Sequence, residues 1–393
     1  MVNIEKTLHG DCLEILKTID DNSIDSVVTD PPYGLSKEPD ITEVLTKWLS
    51  GEEYDHNHGG FMGKSWDSFV PHPDIWREVF RVLKPGGHAL VFAGTRTQDL
   101  MTISLRLAGF EVRDVIEWLY FSGFPKSHDV SKAFDKRAGA ERKKVWQPYS
   151  EGSNAGNYDN HNSRPWIDRA REEGGRWVDT NEPASELAQQ WDGWGTALKP
   201  AHEPIIVVRK PLKDPETGRK LTVVDCVEKY GTGAINIDAC RIPGSYKWRA
   251  SDSSSTSGAN FVSGSFGDGP NEAGRFPANC ITLDNDAFYS KYFNISPPEL
   301  SKKASKKDRN SDWRGEEISV GERNNVHPTV KPTNLMAWLV RLVTPPNGTV
   351  LDPFAGSGST LVAAKREGFN FVGIELEDEY IPVIEARTGT KVV

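Results

Sequence analysis

The sequence predicts a doubly wound α/β fold, a largely parallel sheet with helices on both faces. Three observations predict it. Strand-like and helix-like segments alternate through residues 4–121 and again through 333–386. The strand segments are short, β-branched or apolar runs, as suits strands buried on both faces. Two of them end in Pro-rich or Gly-rich turns, at the edge where open α/β sheets bind ligands.

Each element has its own warrant. Residues 4–9 alternate apolar and polar like a strand, and 13–19 form a short helix. Ser26-Val27-Val28-Thr29 is a β-branched strand. It must stop at Asp30-Pro31-Pro32, because proline cannot continue a central ladder. Over 74–83, apolar residues fall at Ile75, Val79, Val82 and Leu83, with Asp74 as N-cap. Lys84-Pro85-Gly86-Gly87 ends that helix. Residues 89–93 are a buried-type strand, 98–108 a helix stopping before Gly109, and 111–121 a long strand. Residues 204–209 add another strand to the same sheet. Later, 333–342 is helical with Leu335, Leu339 and Leu342 on one face. The strand 350–351 enters the turn 352–360, a helix follows, and the strand 371–374 ends at Glu375. A last helix covers 379–386. The alternation is the pattern of a parallel sheet.

The middle differs. Residues 150–165 and 251–274 are rich in Gly, Ser and Asn, and loops this long are usually functional or disordered. The expected organisation is a main domain in pieces (1–125, 201–221 and 327–393), an insert at 126–200, and a second candidate module at 222–326.

Composition narrows the function. Lys+Arg is 47 and Asp+Glu is 56, a formal charge of −9 over 393 residues. That excludes a chain coated in basic charge, but not a basic cleft on an acidic body. No apolar run reaches the ~18–20 residues that span a bilayer, and the first residues lack the apolar core of a secretory signal. Cys12, Cys226, Cys240 and Cys280 lie far apart. This disfavours a disulfide scaffold or a Cys-rich zinc site, and suggests a reducing, cytoplasmic compartment. Asp55-His56-Asn57-His58 lies in a long segment that reads better as a mobile lid than as a metal site.

Two turns carry chemistry. In 352–360 glycines allow backbone to approach a ligand, and a helix N-terminus presents free N–H groups. Glu375, at the end of the next strand, suits a ribose hydroxyl. In Asp30-Pro31-Pro32-Tyr33-Gly34, the carboxylate and the Pro31 carbonyl offer two acceptors, and Tyr33 a flat face. That set suits an exocyclic amine on a base.

Asp30-Pro31-Pro32-Tyr33 together with Asp352-Pro353-Phe354-Ala355-Gly356-Ser357-Gly358 resembles the amino-methyltransferases of DNA that use S-adenosylmethionine. The order of the two motifs resembles the β group of that family. His327-Pro328-Thr329-Val330-Lys331-Pro332 and Gly10-Asp11-Cys12 match further segments. The resemblance implies a Rossmann-like methyltransferase sheet of seven strands ordered 3-2-1-4-5-7-6, strand 7 antiparallel, in circularly permuted form. In that scheme 350–351, 371–374, 4–9, 26–29, 88–93, 111–121 and 204–209 fill slots 1 to 7. It implies catalysis by Asp30, Pro31, Pro32 and Tyr33. It implies cofactor contacts from Asp11, Cys12, Asp30, Thr329, Lys331, Asp352, Pro353, Phe354, Ala355, Gly356, Gly358, Ser359, Thr360 and Glu375.

The implied substrate is adenine N6 in double-stranded DNA, since Asp at the first motif position points to adenine. Cytosine N4, or a non-catalytic DNA-binding protein on the same fold, is the alternative. The sulfonium methyl is already activated, so no metal is needed. Cytosine C5 chemistry needs a thiolate nucleophile, and no cysteine follows a proline here. The target nitrogen is out of reach inside a duplex, so the base must flip, with the Tyr33 ring stacking on it. Lys302, Lys303, Lys306, Lys307 and Arg309 are the expected phosphate contacts, with Lys132, Lys136, Arg137, Arg142, Lys143 and Lys144 as a second basic set. The segment 222–326 is the candidate target-recognition region. Further candidate partners are a second copy and a cognate restriction endonuclease, in a prokaryotic or phage setting.

Overall fold

The computed structural model describes residues 4–60, 65–120, 127–148, 169, 172–241, 276–281, 303–320, 325 and 327–393. Its strands are β1 (Glu5–His9), β2 (Ile24–Thr29), β3 (Leu83–Phe92), β4 (Glu111–Leu119), β5 (Lys144–Pro148), β6 (Gly175–Asp179), β7 (His202–Arg209), β8 (Cys280–Ile281), β9 (Thr349–Asp352) and β10 (Asn370–Glu375). Among the described residues, eight of these form one sheet ordered β1-β10-β9-β2-β3-β7-β4-β8. Only β7 runs against its neighbours, antiparallel to both β3 and β4. β8, outside the expected set, adds a two-residue edge strand parallel to β4.

The central strands are buried on both faces, and their side chains alternate between two cores. Val28, Leu90 and Phe92 belong to one core, whereas Val27, Ala89 and Val91 belong to the other. Helix α3 (Pro73–Val82) and helix α4 (Gln98–Leu107) cover the second face through Trp76, Val79, Leu100 and Met101. Helix α9 (Thr333–Val343) and helix α10 (Ser359–Arg366) cover the first through Leu335, Leu339 and Leu361. This is why β2 is buried along its whole length.

Boundaries shift for local reasons. β3 begins at Leu83, not at 88 or 89, because its Lys-Pro-Gly-Gly stretch continues the strand. The register against β2 slips there, between Ile24 and Ser26, to absorb the irregularity. The early helix is shorter than expected, α1 (Cys12–Leu16). The last is a 3-10 turn, Asp378–Tyr380, leading into α11 (Ile381–Thr388).

The segment after Gly34 is not a structureless lid. It contains α2 (Ile41–Ser50), capped by Asp40 and closed by Gly51 in the left-handed region. Val44 and Trp48 bury themselves in the core. His56 is engaged by the Tyr54 hydroxyl and the Lys37 carbonyl.

The chain divides into two compact units, Met1–Ser122 with Ala201–Val393, and Gly123–Pro200. The described part of 222–326 groups with the first unit rather than forming its own body. It includes α7 (Val223–Tyr230) and α8 (Lys306–Arg309). The second unit holds α5 (Val130–Ala138), the β5–β6 hairpin and α6 (Glu186–Gln190). Buried Asp135 organises it, accepting from Arg142 Nε at 2.7 Å and from the Ser185 hydroxyl and N–H. Burial works against its ionisation, but these donors outweigh burial and bring its pKa down to about 2. Arg142 is therefore a structural partner of Asp135, not a phosphate contact. Two Trp pairs in this unit, Trp146–Trp177 and Trp191–Trp194, meet edge to face. Among the described residues, no helix is long and apolar enough to cross a membrane.

Candidate active site

β2 and β9 are neighbours, so the two motif turns leave the sheet side by side. A buried bond joins them, from Thr29 Oγ1 to Asp352 Oδ1 at 2.6 Å. The turn after β2 is held from several directions. Asp67 Oδ1 accepts from the N–H groups of Tyr33 and Gly34 at 2.7 and 3.2 Å. The Thr97 hydroxyl donates to the Tyr33 carbonyl at 2.6 Å. Gly34 sits at φ 65°, and a Cβ there would meet the Val70 nitrogen at 2.9 Å. Only glycine fits.

Four polar side chains meet beside this turn. Lys331 Nζ donates to Asp30 Oδ2 at 2.5 Å and to the Tyr33 hydroxyl at 3.1 Å. It also lies 3.3 Å from Glu203 Oε2, which accepts from the Tyr33 hydroxyl at 3.2 Å. The ammonium faces the rings of Phe92 and Tyr33, at 4.9 and 5.3 Å from their centroids. Burial pushes the Asp30 carboxyl above the usual carboxylate range, and the charge of Lys331 opposes that. Burial alone would discharge Lys331, but Asp30 and Glu203 together hold it protonated. The other oxygen of Asp30, Oδ1, is buried and has no hydrogen-bond partner. A buried acceptor left open is costly unless a ligand satisfies it.

The resemblance assigned Lys331 to the cofactor. The structure places its ammonium on Asp30, Tyr33 and Glu203. Glu203, Asp67, Phe92 and Thr97 were not expected in the site. Glu203 was missed because the strand was begun at Pro204, two residues late.

The second turn is a cradle. Asp352 Oδ1 accepts from the Phe354 N–H at 3.1 Å, and burial raises this carboxyl to about 6. Ala355 bonds back to Ile374, and buried Ser359 and Thr360 open α10. Gly356 and Gly358 have φ of 54° and 75°. Gly356 N–H donates to Glu375 Oε2 at 2.6 Å, and Glu377 N–H to Oε1 at 2.8 Å. Burial lifts Glu375 to about 7 against those donors.

Behind the cradle, burial keeps His327 neutral, its pKa pushed down to about 3. Its Nδ1 accepts from the Thr329 N–H at 3.3 Å, and its ring stacks on Trp66, 6.1 Å between centroids. Trp66 Nε1 is buried without a partner. Arg387, unforeseen in the sequence, is fully buried under the turn and donates to the Ser357 carbonyl at 2.7 Å and the Ser359 hydroxyl at 3.2 Å.

At the end of β1, Gly10 N–H bonds to the Glu375 carbonyl at 2.9 Å, which brings Asp11 and Cys12 to the same edge. Asp11 caps α1 through Leu13 and Glu14. Burial pushes the Cys12 thiol up to about 12, so it is no nucleophile.

A nucleoside cofactor fits this cradle. Glycines bare the backbone, and Glu375 supplies an acceptor for ribose hydroxyls.

The basic segment divides. Lys302 lies outside the described residues. Lys303 Nζ lies 4.1 Å over the Tyr120 ring and 4.0 Å from Glu203 Oε1. Lys306 and Lys307 are exposed on α8. Arg309 corrects the expectation: it turns inward, donating to the carbonyls of His327 and Pro328 at 3.0 and 2.9 Å. It shapes the segment leading to Lys331. Lys303, Lys307, Trp313, Arg314 and Arg366 line a cleft of about 440 Å³.

The DNA methylase family model matches residues 24–386. The chain is 24% identical over 404 residues to the type II methyltransferase M.HindIII of Haemophilus influenzae, covering 98% of this chain and 96% of that protein. Over 57 residues it is 53% identical to the putative methylase YubD of Escherichia coli, 14% of this chain and 25% of that one. Among solved structures, PvuII DNA methyltransferase (cytosine-N4-specific) aligns at a TM-score of 0.46 and 15% identity, covering 98% of this chain and 87% of that one. The putative DNA modification methylase TTHA0409 of Thermus thermophilus, complexed with S-adenosylmethionine, aligns at 0.42 and 18%, covering 98% and 94%.

Proposed function

The chain belongs to the DNA methylase family, S-adenosylmethionine-dependent enzymes that methylate amino groups of DNA bases, and from that premise we propose that it methylates adenine N6 in duplex DNA. The observation that carries this reading is Asp30 Oδ1, a buried acceptor left open beside the cofactor cradle. The identity of the motif's first residue, Asp30, favours adenine over cytosine N4. The observed strand order, read as slots 3-2-1-4-5-7-6 plus an edge strand, supports the circularly permuted form. A cognate restriction endonuclease fits the type II name of the Haemophilus relative.

The residues divide the work. The bound cofactor supplies a sulfonium-activated methyl group. The turn Asp352-Pro353-Phe354-Ala355-Gly356-Ser357-Gly358 and Glu375 hold its nucleoside end, with Asp11, Cys12 and Thr329 at the margins. Asp30 Oδ1 accepts an N–H of the target amine, and this turns the nitrogen lone pair out of ring conjugation as charge develops. Lys331 occupies Oδ2 and favours the ionised carboxylate. Pro31 and Pro32 fix the turn, and Tyr33 offers its ring to the flipped base. Nucleoside mass spectrometry of DNA after reaction with the cofactor tests the proposal. N6-methyladenine is expected, and N4-methylcytosine would establish the alternative.

Glu375 makes cofactor affinity sensitive to pH. Its ionised form accepts from ribose hydroxyls, and burial has raised it to about 7. Affinity should therefore strengthen as pH rises through neutrality and weaken below it. Calorimetry at acid and alkaline pH checks this, and a flat profile would remove Glu375 from the contact.

The cleft at Lys303, Lys307, Arg314 and Arg366, with Lys306 nearby, is proposed to take DNA phosphates. Five such contacts predict a log–log salt slope of about −4.5. Neutralising Lys303, Lys307 and Arg366 should flatten the slope by about 2.7 without changing the sequence recognised. An unchanged slope would make the cluster a solvated face.

A further inference from the structure

We propose that Glu203 is a positioning residue for methyl transfer: it fixes Lys331 and Tyr33 so that one oxygen of Asp30 is occupied and the other stays open to the target amine. The inference rests on the proposed function and goes beyond it, since the chemistry above needs nothing from Glu203 itself.

Topology brings Glu203 there. β7 runs against its neighbours, so its first residues, not its last, reach the edge where β2 and β3 deliver Asp30 and Phe92. Glu203 pairs with Trp118 across β4, and the next residue, Pro204, accepts from Ala93 at 3.0 Å. The carboxylate is thus set on a rigid central strand.

The contacts then fix the cluster. A lysine ammonium has three donors. Lys331 is 7% exposed, and its ammonium has three oxygens within 3.3 Å, on Asp30, Tyr33 and Glu203. With all three protons directed, it holds Asp30 Oδ2 and has none left for Oδ1. The same Glu203 oxygen takes the Tyr33 hydroxyl, which sets the ring's orientation. Without Glu203, one ammonium proton is freed and can close on Oδ1, and the Tyr33 ring loses its tether.

Charge gives an independent signature. The groups that face Asp30 are Tyr33 from the turn after β2, Asp352 from β9, Glu203 from β7, and Lys331 from the segment before α9. Lys303 and Tyr120 face Glu203 from the other side. Two carboxylates share one buried ammonium, and the charge of Glu203 hinders ionisation of Asp30. Removing the charge of Glu203 should let Asp30 ionise at lower pH.

Single-turnover methylation of duplex DNA at saturating cofactor tests this. Glu203→Ala should slow methyl transfer about 10-fold or more, with cofactor affinity within about threefold of native. Glu203→Gln should recover part of the rate, because its amide oxygen still accepts from Tyr33 and Lys331. In both variants the acid limb of the rate profile should move to lower pH. A native rate in Glu203→Ala would overturn the proposal. So would equal losses in both variants with an unmoved acid limb and a lower Tm, which would make Glu203 merely structural. Nitrogen-15 lysine labelling reads the same contact without DNA. The held ammonium of Lys331 should give a slowly exchanging signal in the native protein and in Glu203→Gln, but not in Glu203→Ala. A signal kept in Glu203→Ala would overturn the proposal. If the native protein failed to methylate DNA, the proposed function would fall, and the lysine signal would still decide the role of Glu203.

Discussion

Asp30→Ala is expected to abolish methyl transfer and to leave S-adenosylmethionine bound. The open oxygen Oδ1 is the acceptor for the target amine, and Ala removes it. Losing one group that acts on the developing charge of a transition state costs about 10²–10³-fold in rate. The variant also strips Lys331 of its shortest contact, at 2.5 Å, and leaves the ammonium to Glu203 and Tyr33. Cofactor binding should survive, because the Gly-rich turn and Glu375 lie on β9 and β10 and do not depend on Asp30. Calorimetry should give an affinity within about threefold of native, a difference well under the 1.4 kcal/mol that marks a decade. A variant that lost its cofactor would make Asp30 chiefly one of the cofactor contacts that the resemblance implies, not the group that acts on the target amine.

Gly356→Ala should do the reverse. It should weaken cofactor binding by about 30-fold or more, and only through that loss slow the reaction. A Cβ at Gly356 would lie 2.8 Å from His327 Nε2. His327 cannot retreat, because Trp66 stacks on it and Tyr380 meets it edge-on at 4.5 Å. The turn must therefore open, which breaks the 2.6 Å bond from Gly356 to Glu375. Gly358→Ala is the control. It shares the left-handed backbone, but its nearest neighbour is Ile384 at 3.6 Å, so only the conformational cost of about 1–2 kcal/mol applies. Equal, small effects on affinity at both positions would show that this turn is not the cofactor's cradle.

These residues could be found in the sequence because proline and glycine encode backbone geometry directly. Asp-Pro-Pro-Tyr-Gly ends a strand and Phe-Ala-Gly-Ser-Gly opens a helix, whatever surrounds them. The polar network around Asp30 was not legible, since its partners come from far along the chain. Lys331 is 301 residues from Asp30, and Tyr33 is 170 from Glu203. The sequence points to the Tyr33 ring face alone, whereas its hydroxyl meets Lys331 and Glu203. Arg309 shows the limit of counting charges, because a basic run does not say which side chain turns inward. Helix α2 was a signal overlooked rather than absent. Asp40, Val44, Trp48 and Gly51 give a cap, two buried positions four residues apart and a stop.

The most direct test compares DNA from cells producing the native chain with DNA from cells producing Asp30→Ala, by long-read sequencing that reports modified bases in place. The native sample should show methylated adenine at one recurrent sequence, and the Asp30→Ala sample should show none. Methylated cytosine at a recurrent sequence, or the same modification in both samples, would contradict an adenine methyltransferase working through the open oxygen of Asp30.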